Sequence, residues 1–316
     1  MLWARTAIAL VTAIVLITSF SAPNASRAQT GGAIRMRIDG GFASYFKEEA
    51  FVPLRITLTN PDSAFDGELF VRNTRDGVAE RYSQRVSIGA NATRRVTLFV
   101  PGDSNSFEVN LANNAGVVLS DTAILRRLGP NDRLIGVVSD PPDAFNFSGD
   151  TTAVFGSGAY VSPFALADLH DRGGALDALD VLIFNAVDTA ALSTDQRNAI
   201  TTWVLGGGHL LIAGGAGASL TRTGLSDLAP AEVGASLING DLRGLDALAQ
   251  PARISAPAPV PTATVPLAPL TQIRPGSRVL ASAAETPLIV RRTLGRGVID
   301  QLAFDPSAGP LRGWNG

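Results

Sequence analysis

Six positions fall where a chain that does chemistry would put its working residues. Asp140, Asn185, Asp188, Gly214, Gly215 and Asp305 each come at or just after the end of a short apolar run. In an open α/β sheet, ligands bind outside the carboxyl ends of the strands. These six are therefore the candidate lining of a residual ligand pocket. Aspartate and asparagine are also favoured in turns at strand ends, and for the four polar positions that is the stronger reading. No catalytic residue is expected. The chain has no cysteine, which excludes disulfides, thiolate metal sites and a cysteine nucleophile together. It has two histidines, His170 and His209, too few for a multi-histidine metal centre. His170 lies among Asp168, Asp171 and Arg172 and reads as part of a solvated loop. His209 reads as a partly exposed residue at a strand start. No metal and no cofactor are expected. The glycines of Gly206–Gly217 lack the Gly-Lys-Ser/Thr ending of a phosphate loop, and Ser219 lies beyond the turn that would carry a nucleophile.

The elements that must position these residues centre on Leu176–Gly217. Asp180–Phe184 is a short continuous apolar run, the pattern of a strand buried on both faces. Ser193 and Gln196 have the spacing of a capping box. Ala199, Ile200, Trp203 and Val204 then share one helical face, and Gly206–Gly208 stops the helix. Leu210–Ala213 is a second buried strand. Two such strands joined by a helix predict a parallel crossover.

The rest of the chain falls on either side. Arg5, the apolar run Ala7–Phe20 and the small residues of Ser26-Arg27-Ala28 predict a secretory signal peptide over 1–28, cleaved after Ala28. The alternative is an uncleaved anchor, and both export the chain. Residues 29–128 read as an immunoglobulin-like or fibronectin-like β-sandwich. Val52, Leu54, Ile56 and Leu58 alternate with polar neighbours, and about seven short strands are separated by turn signals such as Asp76-Gly77. Gly129–Asp132 is a linker, and 133–308 reads as an α/β domain. Within it, Thr151–Tyr160 is ambiguous and Pro251–Pro275 reads as a proline-rich surface excursion. Leu294–Gly297 is the glycine-rich turn of a hairpin. The net charge of -2, with Lys47 as the single lysine, gives no electrostatic reason to expect nucleic acid.

"ALDVLIF" followed after a polar gap by "AITTWVLGGGHLLIAGG" resembles the class I glutamine amidotransferase-like domain. The resemblance implies a flavodoxin-like fold with a mainly parallel sheet over 133–308, degenerate because the elbow cysteine is missing. "VPLRITLTNP", "FDGELFVR", "YSQRVSIGANATRRVTLFVPG" and "GRGVIDQLAFDPSAGPLRGW" resemble the N-terminal part of large exported, membrane-anchored bacterial proteins of unknown function. That implies an envelope location, an envelope or membrane protein partner, and a membrane anchor beyond Gly316, with 309–316 as the start of a continuing segment. The expected function is a non-catalytic exported cell-envelope protein in binding or assembly. The alternatives are an extracytoplasmic hydrolase acting on carbohydrate or peptidoglycan, and the periplasmic part of a transporter-associated complex.

Overall fold

A computed structural model describes residues 33–75, 78–140, 145, 158–172, 174–248 and 262–311. The leader over 1–28, the Asp76-Gly77 turn, most of Thr151–Tyr160, the first part of the proline-rich excursion and the residues after Leu311 lie outside them. The first unit contains β1 (Arg35–Gly40), β2 (Tyr45–Phe46), β3 (Phe51–Asn60), β4 (Phe65–Arg75), β5 (Val78–Ile88), β6 (Ala92–Pro101), β7 (Ser106–Asn113), β8 (Gly116–Ile124) and β9 (Arg126–Arg127). One antiparallel sheet has the order β1-β3-β6 and the other β5-β4-β7-β8. Period-two alternation builds the core. Leu54, Ile56 and Leu58 of β3 meet Leu69, Val71, Val109 and Leu111 of the facing sheet, all of them buried. Asn60 is buried beneath the turn that ends β3. Its Nδ2 donates to Ser63 O (2.6 Å) and Gly89 O (3.1 Å).

The second unit contains β10 (Arg133–Ser139), β11 (Ala159–Pro163), β12 (Val181–Asn185), β13 (His209–Ile212), β14 (Glu232–Val233), β15 (Ile238–Gly240), β16 (Val265–Leu267), β17 (Leu270–Thr271), β18 (Ser277–Ala283), β19 (Thr286–Leu294) and β20 (Gly297–Leu302). Its main sheet runs β11-β10-β12-β13-β20-β19-β18. The pairs from β11 to β20 are parallel, and β20-β19-β18 is antiparallel. Helix α1 (Thr194–Gly206) connects β12 to β13. Its capping box is formed: Ser193 Oγ accepts from Gln196 N (3.1 Å), and Gln196 Oε1 accepts from Ser193 N (2.9 Å). Gly207, at φ 129, ends the helix in a conformation that only glycine adopts readily. Ile200, Trp203 and Val204 pack on Leu182, Phe184, Leu210 and Ile212, and Trp203 Nε1 donates to Leu179 O (3.3 Å).

The flavodoxin-like, mainly parallel α/β expectation is incorrect. About half of the chain is strand. Among the described residues only two α-helices occur, α1 and the short α2 (Ala218–Thr223). A doubly wound fold covers both sheet faces with crossover helices. Here no described helix covers the face formed by Ile135, Val137 and Ile183. The chain after α2 builds two small antiparallel pairs, β14-β17 and β15-β16, and then the antiparallel end of a mixed sheet. The crossover signal in Leu176–Gly217 is real but local. A continuous apolar run shows that a strand is buried, not which way its neighbours point.

The two units share packing. Phe42 belongs to the same core cluster as Leu128, Leu134 and Phe164. The lone lysine crosses the junction, with Lys47 Nζ 2.5 Å from Asp180 Oδ2. The other Asp180 oxygen lies 3.1 Å from Arg133 Nη1.

Candidate functional site

All six sequence-derived positions lie at or just beyond the carboxyl ends of the adjacent strands β10, β12, β13 and β20. They share one edge of the sheet, and backbone packing draws several of them together. Gly214 N donates to Phe304 O and Gly215 N to Ala303 O, each at 3.0 Å. Asp140 N reaches Asn185 O at 3.4 Å. Glycine is required at this edge. A Cβ on Gly214 would overlap the Leu302 carbonyl and the Ala303 backbone, and one on Gly215, at φ 69, would lie 3.0 Å from Asp305 Cβ. Next to Asn185, Ala186 adopts φ 51, and a Cβ on Gly217 would lie 2.7 Å from its Cα. The backbone is thus close-packed at the point where a nucleophile would need room.

The polar side chains are mostly engaged in turns. Asp188 Oδ1 accepts from Ala190 N (3.0 Å) and caps a 3-10 turn. Asp305 Oδ1 accepts from Ser307 N (2.8 Å) and from Ser307 Oγ (2.7 Å). Asn185 differs. It is 1% exposed, its Nδ2 donates to Ser307 Oγ (3.3 Å), and its Oδ1 is buried with no partner. A buried carboxamide oxygen without a donor costs free energy that the surrounding packing must offset. Among the described residues no group of three or more His, Asp and Glu side chains could hold a metal ion.

Both histidines behave differently from a solvated or unpaired residue. His170 is buried, not in a solvated loop, and its ring packs edge-on between Phe42 (5.9 Å) and Phe99 (5.2 Å) of the sandwich. Burial, reinforced by the positive charge of Arg55, pushes its pKa down to about 4 against the smaller opposing pull of Asp171 and Asp168. The signal for this burial lay 128 and 71 residues upstream, in Phe42 and Phe99, out of reach of local pattern. His209 does start β13 half-exposed, but its Nε2 lies 2.8 Å from Asp300 Oδ2. Arg291 Nε and Nη2 bind the same carboxylate at 2.7 and 2.6 Å. Burial alone would raise the Asp300 pKa, but the hydrogen bonds from Arg291 and His209 prevail and hold it below the ordinary carboxylate value. The trio lies on the sheet face, away from the strand-end cluster, and sequence reading did not find it.

Open surface grooves lie elsewhere. One of about 620 Å³ is on the outer face of the four-stranded sheet, one of about 540 Å³ is between the two units, and one of about 380 Å³ is beside β15 and β16.

A family described as Domain of unknown function (DUF8726) matches residues 33–126, the stretch that forms the sandwich. No curated protein matches the chain. Among solved structures, a cytoplasmic protein (STM1381) from Salmonella typhimurium LT2 is similar at 16% identity and a TM-score of 0.36, covering 55% of this chain and 88% of its own. A cycloisomaltooligosaccharide glucanotransferase from Paenibacillus sp., complexed with cycloisomaltoheptaose, is similar at 17% identity and a TM-score of 0.25. That match covers 58% of this chain, which spans 28% of the glucanotransferase. Neither likeness is close enough to bear on fold or function.

Proposed function

We propose that this chain is an exported cell-envelope protein that binds or assembles and does not catalyse. One observation carries the non-catalytic part. The turn after β13 is closed by backbone on backbone, so Gly214 has no space for an attacking side chain. The polar groups around it support the same reading. Asp305 is tied to Ser307 and Asp188 caps a turn, whereas hydrolytic carboxylates must face a substrate across an open cleft. Export rests on the leader pattern of Arg5, Ala7–Phe20 and Ser26–Ala28. An anchor beyond Gly316 and a membrane protein partner follow from the resemblance to anchored envelope proteins. The test is to incubate the purified chain with a fluorophosphonate probe and with peptidoglycan. The expected result is no covalent adduct and no released fragment. A stoichiometric adduct, or soluble sugar released in proportion to protein, would overturn the non-catalytic reading.

A further inference from the structure

The outer face of the sheet β5-β4-β7-β8 is not an ordinary solvated surface. In a sandwich, outward positions are polar and wet. Phe70 of β4 points outward with Glu68 and Arg72, yet it is only 2% exposed. The arginines cover it. Arg81 stacks with its guanidinium carbon 3.8 Å from the ring centroid, and Arg72 lies at 5.1 Å. Cross-strand register places Arg72 opposite Arg81 and Glu68 opposite Arg85. Like charges directly opposite one another oppose pairing, and the aromatic floor offsets that by cation–π contact. Arg81 also pairs with Glu68. A hydrogen bond from Ser83, and then the Arg81 guanidinium, hold the Glu68 carboxyl below its ordinary value. Arg72 and Arg85 are in no ion pair among the described residues, and both are exposed. The groove they border, about 620 Å³, falls in the size range of small-ligand sites, roughly 300–1,000 Å³. Asp66 and the Asn113 turn form its other walls.

We propose that this groove binds an acidic glycan, through carboxylates on the sugar units that pair with Arg72 and Arg85. This deepens the binding role proposed above by naming its ligand class. The wall chemistry selects among anions. Planar guanidiniums with free N–H forks match carboxylates bidentately. Glu68 and Asp66 place negative charge in the same groove, which penalises a dense phosphate backbone and tolerates one charge per sugar. The same carboxylates and the Asn113 carboxamide accept or donate to ring hydroxyls. An acidic peptide fits less well. Peptides gain affinity by pairing their backbone at a sheet edge, and this groove lies on the face of the sheet, over the Glu68–Val71 stretch of β4 that is paired on both sides.

The test is calorimetric titration of the chain with trigalacturonate, with maltotriose and pentaglutamate as controls. Saturable trigalacturonate binding with Kd at or below ~1 mM is expected. It should weaken as salt rises and be at least ~10-fold weaker in the double variant Arg72→Ala/Arg85→Ala. Arg72 also covers the Phe70 ring, so circular dichroism is used to check that the variant is folded. As a second readout, trigalacturonate should shift the Phe70 and Asn113 NMR signals of the wild-type chain. No saturable binding up to ~10 mM, unchanged affinity in the double variant, shifts confined to other surfaces, or tighter binding of pentaglutamate would each overturn the assignment. Those failures leave the non-catalytic reading standing. Cleavage of bound trigalacturonate would instead uphold the groove and overturn that reading.

Discussion

His170 makes the junction between the two units sensitive to acid. Its ring is closed in by Phe42 and Phe99 and faces the charge of Arg55, so the native state holds it neutral down to about pH 4. In the unfolded chain the same group takes up its proton near 6.5. Between those values the unfolded state binds more protons, so stability falls as pH falls. The contribution is intact above about pH 6.5 and is lost progressively down to about pH 4. At ~1.4 kcal/mol per pH unit the whole interval amounts to about 3 kcal/mol. Urea denaturation of the wild-type chain and of His170→Gln between pH 7.5 and 4 isolates this group, because all other titrations are common to both. The wild type is expected to lose about 3 kcal/mol more than the variant. An imidazole NMR titration of the native chain should place the His170 midpoint near 4. Parallel stability profiles, or a midpoint near 6.5, would refute the reasoning.

Three substitutions test the local structure. Ser193→Ala removes the capping-box acceptor of Gln196 N and should lower stability by about 1 kcal/mol, read from the urea midpoint. Gly214→Ala forces a methyl group into the Leu302 carbonyl. Backbone cannot yield as a flexible side chain can, so a loss of about 3 kcal/mol or more is expected, and a loss below about 1 kcal/mol would show that the turn is open. Asp300→Asn leaves Arg291 and His209, both partly exposed, facing a neutral group, and about 1–3 kcal/mol should be lost at pH 7. Because the Asp300 pKa is lowered, this contribution persists above the ordinary carboxylate range and disappears as pH falls through the native value.

Local grammar was readable in advance where the deciding residues are neighbours. The Ser193–Gln196 box, the apolar face of Ala199–Val204 and the alternation of Val52–Leu58 each rest on contacts within a turn or a strand, and each occurs in the structure. The parallel pairing of β12 with β13 follows from the helix between them. The hairpin at Leu294–Gly297 was readable as well, and β19 and β20 pair antiparallel across it. What local sequence did not show is that β20 also pairs in parallel with β13, which joins this hairpin to the parallel strands as one mixed sheet. At the strand ends, sequence gave the location of Asn185 and Asp305 but not their state. Asp305 turned out to be bound to Ser307, and Asn185 to have a buried, unpartnered oxygen. His170, the Asp300 trio and the Phe70 platform all depend on pairs distant in the chain or on cross-strand register, neither of which leaves a periodic trace.

A binding role in the envelope requires that the chain leave the cytoplasm, so the decisive observation is the amino terminus and compartment of the mature protein. The full-length gene, expressed with its own leader in a bacterial host, is fractionated, and the protein is sequenced from its N-terminus. The expected result is a chain beginning at Gln29 in the extracytoplasmic fraction. Recovery of the protein in the cytoplasm with Met1 or Leu2 at its start would contradict the envelope role.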